Sequence, residues 1–408
     1  MKKTVLKKYA RLIARVGANV QKGQDVIILA EVDQTEFVHL VVKECYLAGA
    51  RKVNVQWNDD ELYKLDVKHQ TVKTLGSLEK WELEKLEWRA STLPVMIYIE
   101  SADPDSLNGI NQEKRAKAMQ LKFPLIKPYR DRMENEYQWT IVAVPSYAWA
   151  KKVFPNDSKS VAYKKLWDAI LYTARVDDDP IEAWRKHNEE MQSKCDYLNS
   201  LGLKELHYRS SNGTDFKVGL LKEALFLGGG EYTATSKIYF NPNMPTEECF
   251  VTPKKGEAEG IVYSTKPLSY NGQLIEDFSI RFENGKAVEV HAKKGEELLK
   301  TMISMDENAG YLGEVALVPY DSPISNSNIL FYNTLFDENA SCHLALGRGF
   351  SNCIKDYQKY TKEDFDNMGV NDSMIHVDFM IGAPDLEIKG ILEDGKEVLI
   401  FKDGNWAF

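Results

Sequence analysis

The chain has 408 residues, 43% of them hydrophobic and 28% charged, with a net charge of −9. That length exceeds the usual single core, so two domains are the prior, and no apolar run approaches the roughly 20 residues that a membrane helix requires. The acidic balance disfavours nucleic acid as a partner, since phosphate binding draws on clustered Lys and Arg; it suits metal ions or amino groups instead.

The basic start, Met1 to Lys8, runs into Tyr9, Arg11 and Arg15 with no apolar core or small-residue cleavage site, so no secretory signal is visible and a cytoplasmic address is expected. Leu6, Tyr9, Ala10, Ile13 and Val16 recur at helical spacing, and Val26 to Leu29 reads as a strand. Glu36 to Leu47 reads as a helix stopped by Gly49. Lys52 to Gln56, Val95 to Ile99 and Thr140 to Val144 follow as strands, with helices expected at Glu79 to Arg89, Asn111 to Gln120, Ser160 to Thr173 and Asp179 to Asn199. Strands alternating with helices imply a mainly parallel sheet over residues 1–200. Asp177-Asp178-Asp179-Pro180 is better read as an acidic helix cap, with Pro at the first helical position, than as a cation site.

Beyond Gly202 the pattern turns to strands, so residues 201–408 are expected to form a second, strand-rich α+β domain. Leu206 to Ser210 and Thr214 to Val218 flank an Asn212-Gly213 turn, and the same device recurs at Asn284-Gly285 and Asp394-Gly395. One helix is expected at Gly295 to Met305 and another beginning near Ala340. Gly228-Gly229-Gly230 lacks the Gly-Lys-Ser/Thr ending of a phosphate loop and reads as a tight turn. The five cysteines, Cys45, Cys195, Cys249, Cys342 and Cys353, include no Cys-x-x-Cys pair and are expected to be reduced thiols.

The chemistry concentrates late in the chain. Asp337-Glu338-Asn339-Ala340-Ser341-Cys342-His343, Glu314 and His376-Val377-Asp378 gather carboxylates and imidazoles, the donors that suit borderline divalent ions. In Met374 to Met380, alternation puts His376 and Asp378 on one face and Ile375, Val377 and Phe379 on the other. Glu247-Glu248, read alone, is a solvated turn behind two prolines, and Cys342 beside His343 makes a poor nucleophile–base pair.

Four motifs in order carry a resemblance: Asn243 to Glu248, Gly313 to Val318, Leu335 to His343 and His376 to Asp378. Together they resemble the aminopeptidase T and aminopeptidase S family of metallopeptidases. The resemblance implies Glu248, Glu314, Glu338, His343, His376 and Asp378 as ligands of two divalent ions (Zn, Co or Mn). It also implies peptides with a free N-terminus as substrates and a homodimer as the assembly. Glu248 or Glu314 is expected to act as general base, Glu248 slightly ahead. One position departs from the family pattern: Phe350 stands seven residues after His343, where a tyrosine is expected to steady the oxyanion. Phe350 therefore supports an alternative, a non-catalytic metal- or peptide-binding protein of the same fold. A phosphate-ester hydrolase would need basic residues near the ligands, and Arg348 alone does not supply them.

Overall fold

The computed structural model describes residues 1–408. By packing, the chain divides into Met1–His187 with Gly230–Pro245, and Asn188–Gly229 with Thr246–Phe408; the first division falls inside the helix Pro180–Ser200.

The first unit is built on a five-stranded parallel sheet in the order Asn243–Met244, Trp139–Ala143, Val95–Glu100, Asp25–Glu31, Lys52–Asn58. Val26, Ile27 and Ile28 are buried in succession, as an unbroken apolar run must be when helices cover both faces of a parallel sheet. The helix Thr35–Ala48 joins the first two strands and stops at Gly49, whose φ of 110° suits glycine alone. Lys80–Thr92, Lys159–Thr173 and Pro180–Ser200 form as helices where their spacing predicts them. Asp179 accepts a hydrogen bond from the Glu182 N–H at 3.3 Å, so the acidic run is a cap.

Three local features differ from expectation. The helix expected to end near Gln120 runs from Gln112 to Met133 through Pro124 and Pro128. It packs on Lys80–Thr92, and Arg132 there takes the Glu87 carboxylate in both hands, at 2.7 and 2.8 Å, so tertiary support outweighs two missing N–H donors. The helix Asp60–His69 was not anticipated; Asp59 caps it by accepting from the N–H groups of Glu61 and Leu62. The strand Asn243–Met244 lies beyond residue 200 yet extends the first sheet, with the Pro242 carbonyl accepting from Ile141 N–H at 2.7 Å.

The second unit holds two antiparallel sheets. The larger has nine strands, among them the hairpin Leu203–Arg209 with Asp215–Leu220 and the hairpin Gln273–Glu283 with Lys286–Lys294. Asn284 and Gly285 take φ of 50° and 79°, the mirror-image turn that matches the twist of paired strands. The smaller has five strands in the order His376–Met380, His343–Gly347, Leu312–Leu317, Cys249–Val251, Leu227–Gly228. One core lies between the sheets, with Val218, Phe278 and Ile280 from the larger and Val315, Leu344 and Phe379 from the smaller; the Phe278 and Phe379 rings are 5.9 Å apart. The architecture is thus α/β in the first unit and strand-rich α+β in the second, as the sequence predicts. No helix is long and apolar enough to cross a membrane.

The helix expected to begin near Ala340 instead ends before it, spanning Thr334–Glu338, and His343 opens a strand. Asp337 sets this geometry by accepting from the N–H groups of Phe331 at 2.8 Å and Asn333 at 3.1 Å, which folds the preceding loop onto the helix.

Candidate metal centre

Register explains how distant residues meet. In antiparallel pairs, residues directly opposite share a face. Glu314 lies opposite Ala345 and Ala345 opposite Asp378; His343 lies opposite Ala316, and His376 opposite Gly347. Four functional side chains therefore project from one face, separated by Ala316, Ala345 and Gly347, residues too small to fill the space between them. Val315, Leu317, Leu344, Leu346, Val377 and Phe379 alternate onto the other face and enter the core. Cys249 and Val251 also enter that core, which turns Phe250 and Glu248 towards the functional side.

Two glycines make the geometry possible. The strand bearing Glu314 bulges between Leu312 and Glu314, and a Cβ on Gly313 would lie 2.1 Å from the Arg348 carbonyl oxygen. Gly347, at φ 103°, would clash with the Ile375 carbonyl at the same distance.

The functional groups form two sets that share Glu314. Glu248, Glu314 and His343 offer ligand atoms within 4.8 Å of one another, and so do Glu314, His376 and Asp378. His343 Nε2 is 3.2 Å from Glu248 Oε2, and His376 Nε2 is 3.0 Å from Glu314 Oε2 and 3.4 Å from Asp378 Oδ1. Both imidazoles are oriented from behind. His343 Nδ1–H donates to the Ser341 carbonyl at 3.0 Å and His376 Nδ1–H to the Arg348 carbonyl at 2.7 Å. A carbonyl can only accept, so each Nδ1 carries the hydrogen and each Nε2 faces the carboxylates, the arrangement of metal-bound histidines. Glu338 stands outside both sets, yet its carboxyl hydrogen-bonds Asp378 and feels the charges of Asp378, Glu248 and Glu314.

The electrostatics express this crowding. Burial pushes the Glu314 carboxyl up to about 6, with His376 opposing and Asp378 and Glu248 adding to the rise. Burial, then the same carboxylate neighbours, hold Glu338 well above its ordinary value. Burial works against a charged His343, but the Glu248 carboxylate outweighs it and lifts the imidazole to about 9. His376 is raised against its burial by Asp378 and Glu314. Asp378 is lowered although burial opposes this, chiefly by His376. A dication among these groups would reverse the pattern, holding the imidazoles neutral and the carboxylates ionised.

The residues fit such an ion. The Asp378 Oδ1 atom is buried and makes no hydrogen bond, with only the His376 Nε2 beside it at 3.4 Å, so it is open to a cation. The donors are imidazole nitrogen and carboxylate oxygen with no thiolate. Cys342 faces the core, where its thiol donates to the Val318 carbonyl at 3.2 Å, and the strand directs it away from His343. All five cysteines are free and buried.

Glu247 and Glu248 are each only 6% exposed, which overturns the solvated-turn reading of that pair. Sequence reasoning missed the Gly313 bulge, the small residues between the candidate ligands, Asn339 and Phe250. The alternation Glu314, Ala316 against Val315, Leu317 was the signal for the small residues, and apolar Leu312 two places before Glu314 was the signal for the bulge. The Phe350 ring lies 4.8 Å from the His376 ring and 5.6 Å from Phe250.

Comparison with known proteins gives the same class. The family model for thermophilic metalloprotease (M29) matches residues 2–406. Aminopeptidase AmpS of Bacillus subtilis (strain 168) is 44% identical over 99% of this chain and 98% of its own. Aminopeptidase T of Thermus thermophilus is 37% identical over 98% of both chains. The solved structure of wild-type AmpT from Thermus thermophilus superposes with a TM-score of 0.89 at 36% identity, covering 100% of each chain. The protein is thus an enzyme of the peptide-hydrolase class. Within that class, the chain belongs to the thermophilic metalloprotease (M29) family.

Proposed function

We propose that this enzyme is a divalent-metal-dependent aminopeptidase that releases residues from the free N-terminus of peptides, with two ions held by Glu248, Glu314, Glu338, His343, His376 and Asp378. The observation that carries the reading is the pair of ligand sets sharing Glu314, each with an imidazole Nε2 turned inward. The aminopeptidase names of the relatives support the substrate class.

Bound divalent metal supplies Lewis acidity, which polarises the scissile carbonyl and makes water a competent nucleophile near neutral pH. The chain's own groups do the rest. The orienting carbonyls of Ser341 and Arg348 hold one hydrogen on each Nδ1 and aim each Nε2 inward, so that a bound dication would find that nitrogen available as a donor. A carboxylate takes the proton of the attacking water and returns it to the departing amine. Glu248 is placed first for that role, because Glu314 is common to both sets and is thereby committed to holding ions; Glu314 remains the other candidate. Anionic side chains at the same face hold the substrate ammonium, which restricts cleavage to the chain end. A homodimer, carried by the family resemblance, and a cytoplasmic setting, which suits five free thiols, belong to the same proposal.

The deciding experiment compares a short peptide with its N-acetylated form before and after chelation. The free peptide is expected to lose its N-terminal residue, chelator to abolish this, and Zn, Co or Mn to restore it. Full activity in metal-free protein, or equal cleavage of the blocked peptide, refutes the proposal.

Phe350 bears on rate. Its ring lies against His376 but offers no donor, so Phe350→Tyr is expected to raise kcat roughly tenfold or more while KM changes little, since a donor aimed at the oxyanion acts mainly in the transition state. Steady-state kinetics on one peptide reads both constants; unchanged or lower kcat in a folded variant removes this position from the catalytic face.

A further inference from the structure

Asn339 follows Glu338 and is fully buried. A buried primary amide must find partners for its N–H groups and its oxygen, and here each choice has a consequence. Nδ2 donates to the Leu335 carbonyl at 2.9 Å, which closes the short helix Thr334–Glu338. Nδ2 also donates to Glu338 Oε1 at 3.3 Å. Oδ1 accepts from the Glu247 backbone N–H at 2.7 Å, across 92 positions of sequence. Rotating the amide by half a turn would set oxygen against the Leu335 and Glu338 acceptors and nitrogen against the Glu247 donor, so the network fixes its orientation.

The bond to Leu335 is local and shapes the helix end. The other two act on different carboxylates, one on the neighbouring residue and one across the sequence. One steadies the Glu338 side chain, and the other docks the backbone that presents Glu248 on the next residue. Glu248 in turn meets His343, the first residue of its strand, at 3.2 Å. A neutral amide suits this place: beside Glu338, which already feels the charges of Asp378, Glu248 and Glu314, it supplies a donor without adding a further charge to be desolvated.

We propose that Asn339 is the positioning residue of the metal centre, fixing Glu338 relative to Glu248 by tying the helix end that bears one to the backbone that bears the other. Asn339 meets no reacting group, and its effect passes through the two glutamates. The inference rests on the metal-centre reading above.

The test is the metal affinity of stripped, folded protein, measured with Zn against a chromophoric chelator, alongside kcat and KM. Asn339→Ala is expected to weaken Zn binding about ten- to a hundredfold, the usual effect of losing a group that orients a ligand. Asn339→Leu keeps the branched shape without polar atoms and is expected to do the same. Asn339→Asp keeps the acceptor for Glu247 N–H but sets a carboxylate oxygen against the Leu335 carbonyl and Glu338 Oε1 and adds a buried charge, so it is expected to weaken binding at least as far as Asn339→Ala. In Ala and Leu variants saturated with Zn, kcat is expected to fall while KM stays near the parent's. A purely structural role would lower the thermal midpoint and leave the affinity of the folded fraction unchanged. Parent affinity in a folded Ala or Leu variant overturns the proposal, and so does loss of fold in all three, which would make Asn339 a residue of the fold alone. Failure of the parent itself to bind Zn would instead refute the metal-centre reading, so the two failures are distinguishable.

Discussion

His376→Ala is expected to abolish peptide cleavage while leaving the second unit folded. The imidazole reaches Glu314 at 3.0 Å and Asp378 at 3.4 Å through Nε2, and its Nδ1–H is held by the Arg348 carbonyl. Removing it takes one nitrogen donor from the set it shares with those carboxylates. The core loses nothing, because the side chain projects from the face opposite Val377 and Phe379. Lewis acidity worth about 4 kcal/mol corresponds to a loss of about a thousandfold in rate. After chelation, the thermal midpoint of the variant is expected to match that of metal-stripped parent protein within a few degrees, since neither then holds a stabilising ion. Metal stoichiometry decides the point: full occupancy in His376→Ala would remove this residue from the ligand set.

What was legible in the sequence follows the range of the interactions involved. The strand His376–Met380 could be read because a half-buried strand writes its two faces as a period of two. The hairpins could be read because Asn-Gly turns encode a backbone that few other residues adopt. Glu248 could not be recognised from its neighbourhood. It becomes a buried site residue only because Cys249 pairs with Leu317, a contact that local composition does not reveal. The acidic pair Glu247-Glu248 has the composition of an exposed turn, and the Asn339 side chain that receives its backbone lies far along the chain.

The short helix before His343 illustrates the same limit. Its end is set by Asp337 reaching back to the 331–333 loop and by the Asn339 amide, so a periodicity reading displaced it by several residues. The long helix Gln112–Met133 errs in the opposite sense, since prolines that usually end a helix are carried by packing against Lys80–Thr92. Family motifs supplied what locality could not, naming six carboxylates and imidazoles spread over about 130 positions before any register was known. The register then gives a physical reason for the spacing of four of them, Glu314, His343, His376 and Asp378: they stand on three neighbouring strands, interleaved with alanine and glycine.

Val377→Asp tests that register from the other face. Val377 lies opposite Leu346 and belongs to the core between the two sheets, in company with Leu344 and Phe379. It is 7% exposed, and the strand sends it away from the carboxylates and imidazoles carried by its neighbours His376 and Asp378. An aspartate there would be either an ionised group without a partner or a protonated one deprived of hydrogen bonds, and it would also vacate apolar volume. The expected cost is on the order of 4 kcal/mol, which lowers the thermal midpoint by about 10 °C or more, or leaves the protein insoluble. The contrast with His376→Ala carries the argument. One residue earlier in the same strand, a change removes metal and activity at little cost to the fold; here a change removes the fold. Thermal unfolding of the chelator-treated variants separates the two, because stripped protein has no ion to mask the difference. A Val377→Asp variant as stable as the stripped parent would mean that the strand sits one residue out of register. His376 and Asp378 would then face the core, and the ligand set drawn from this face would fall with it.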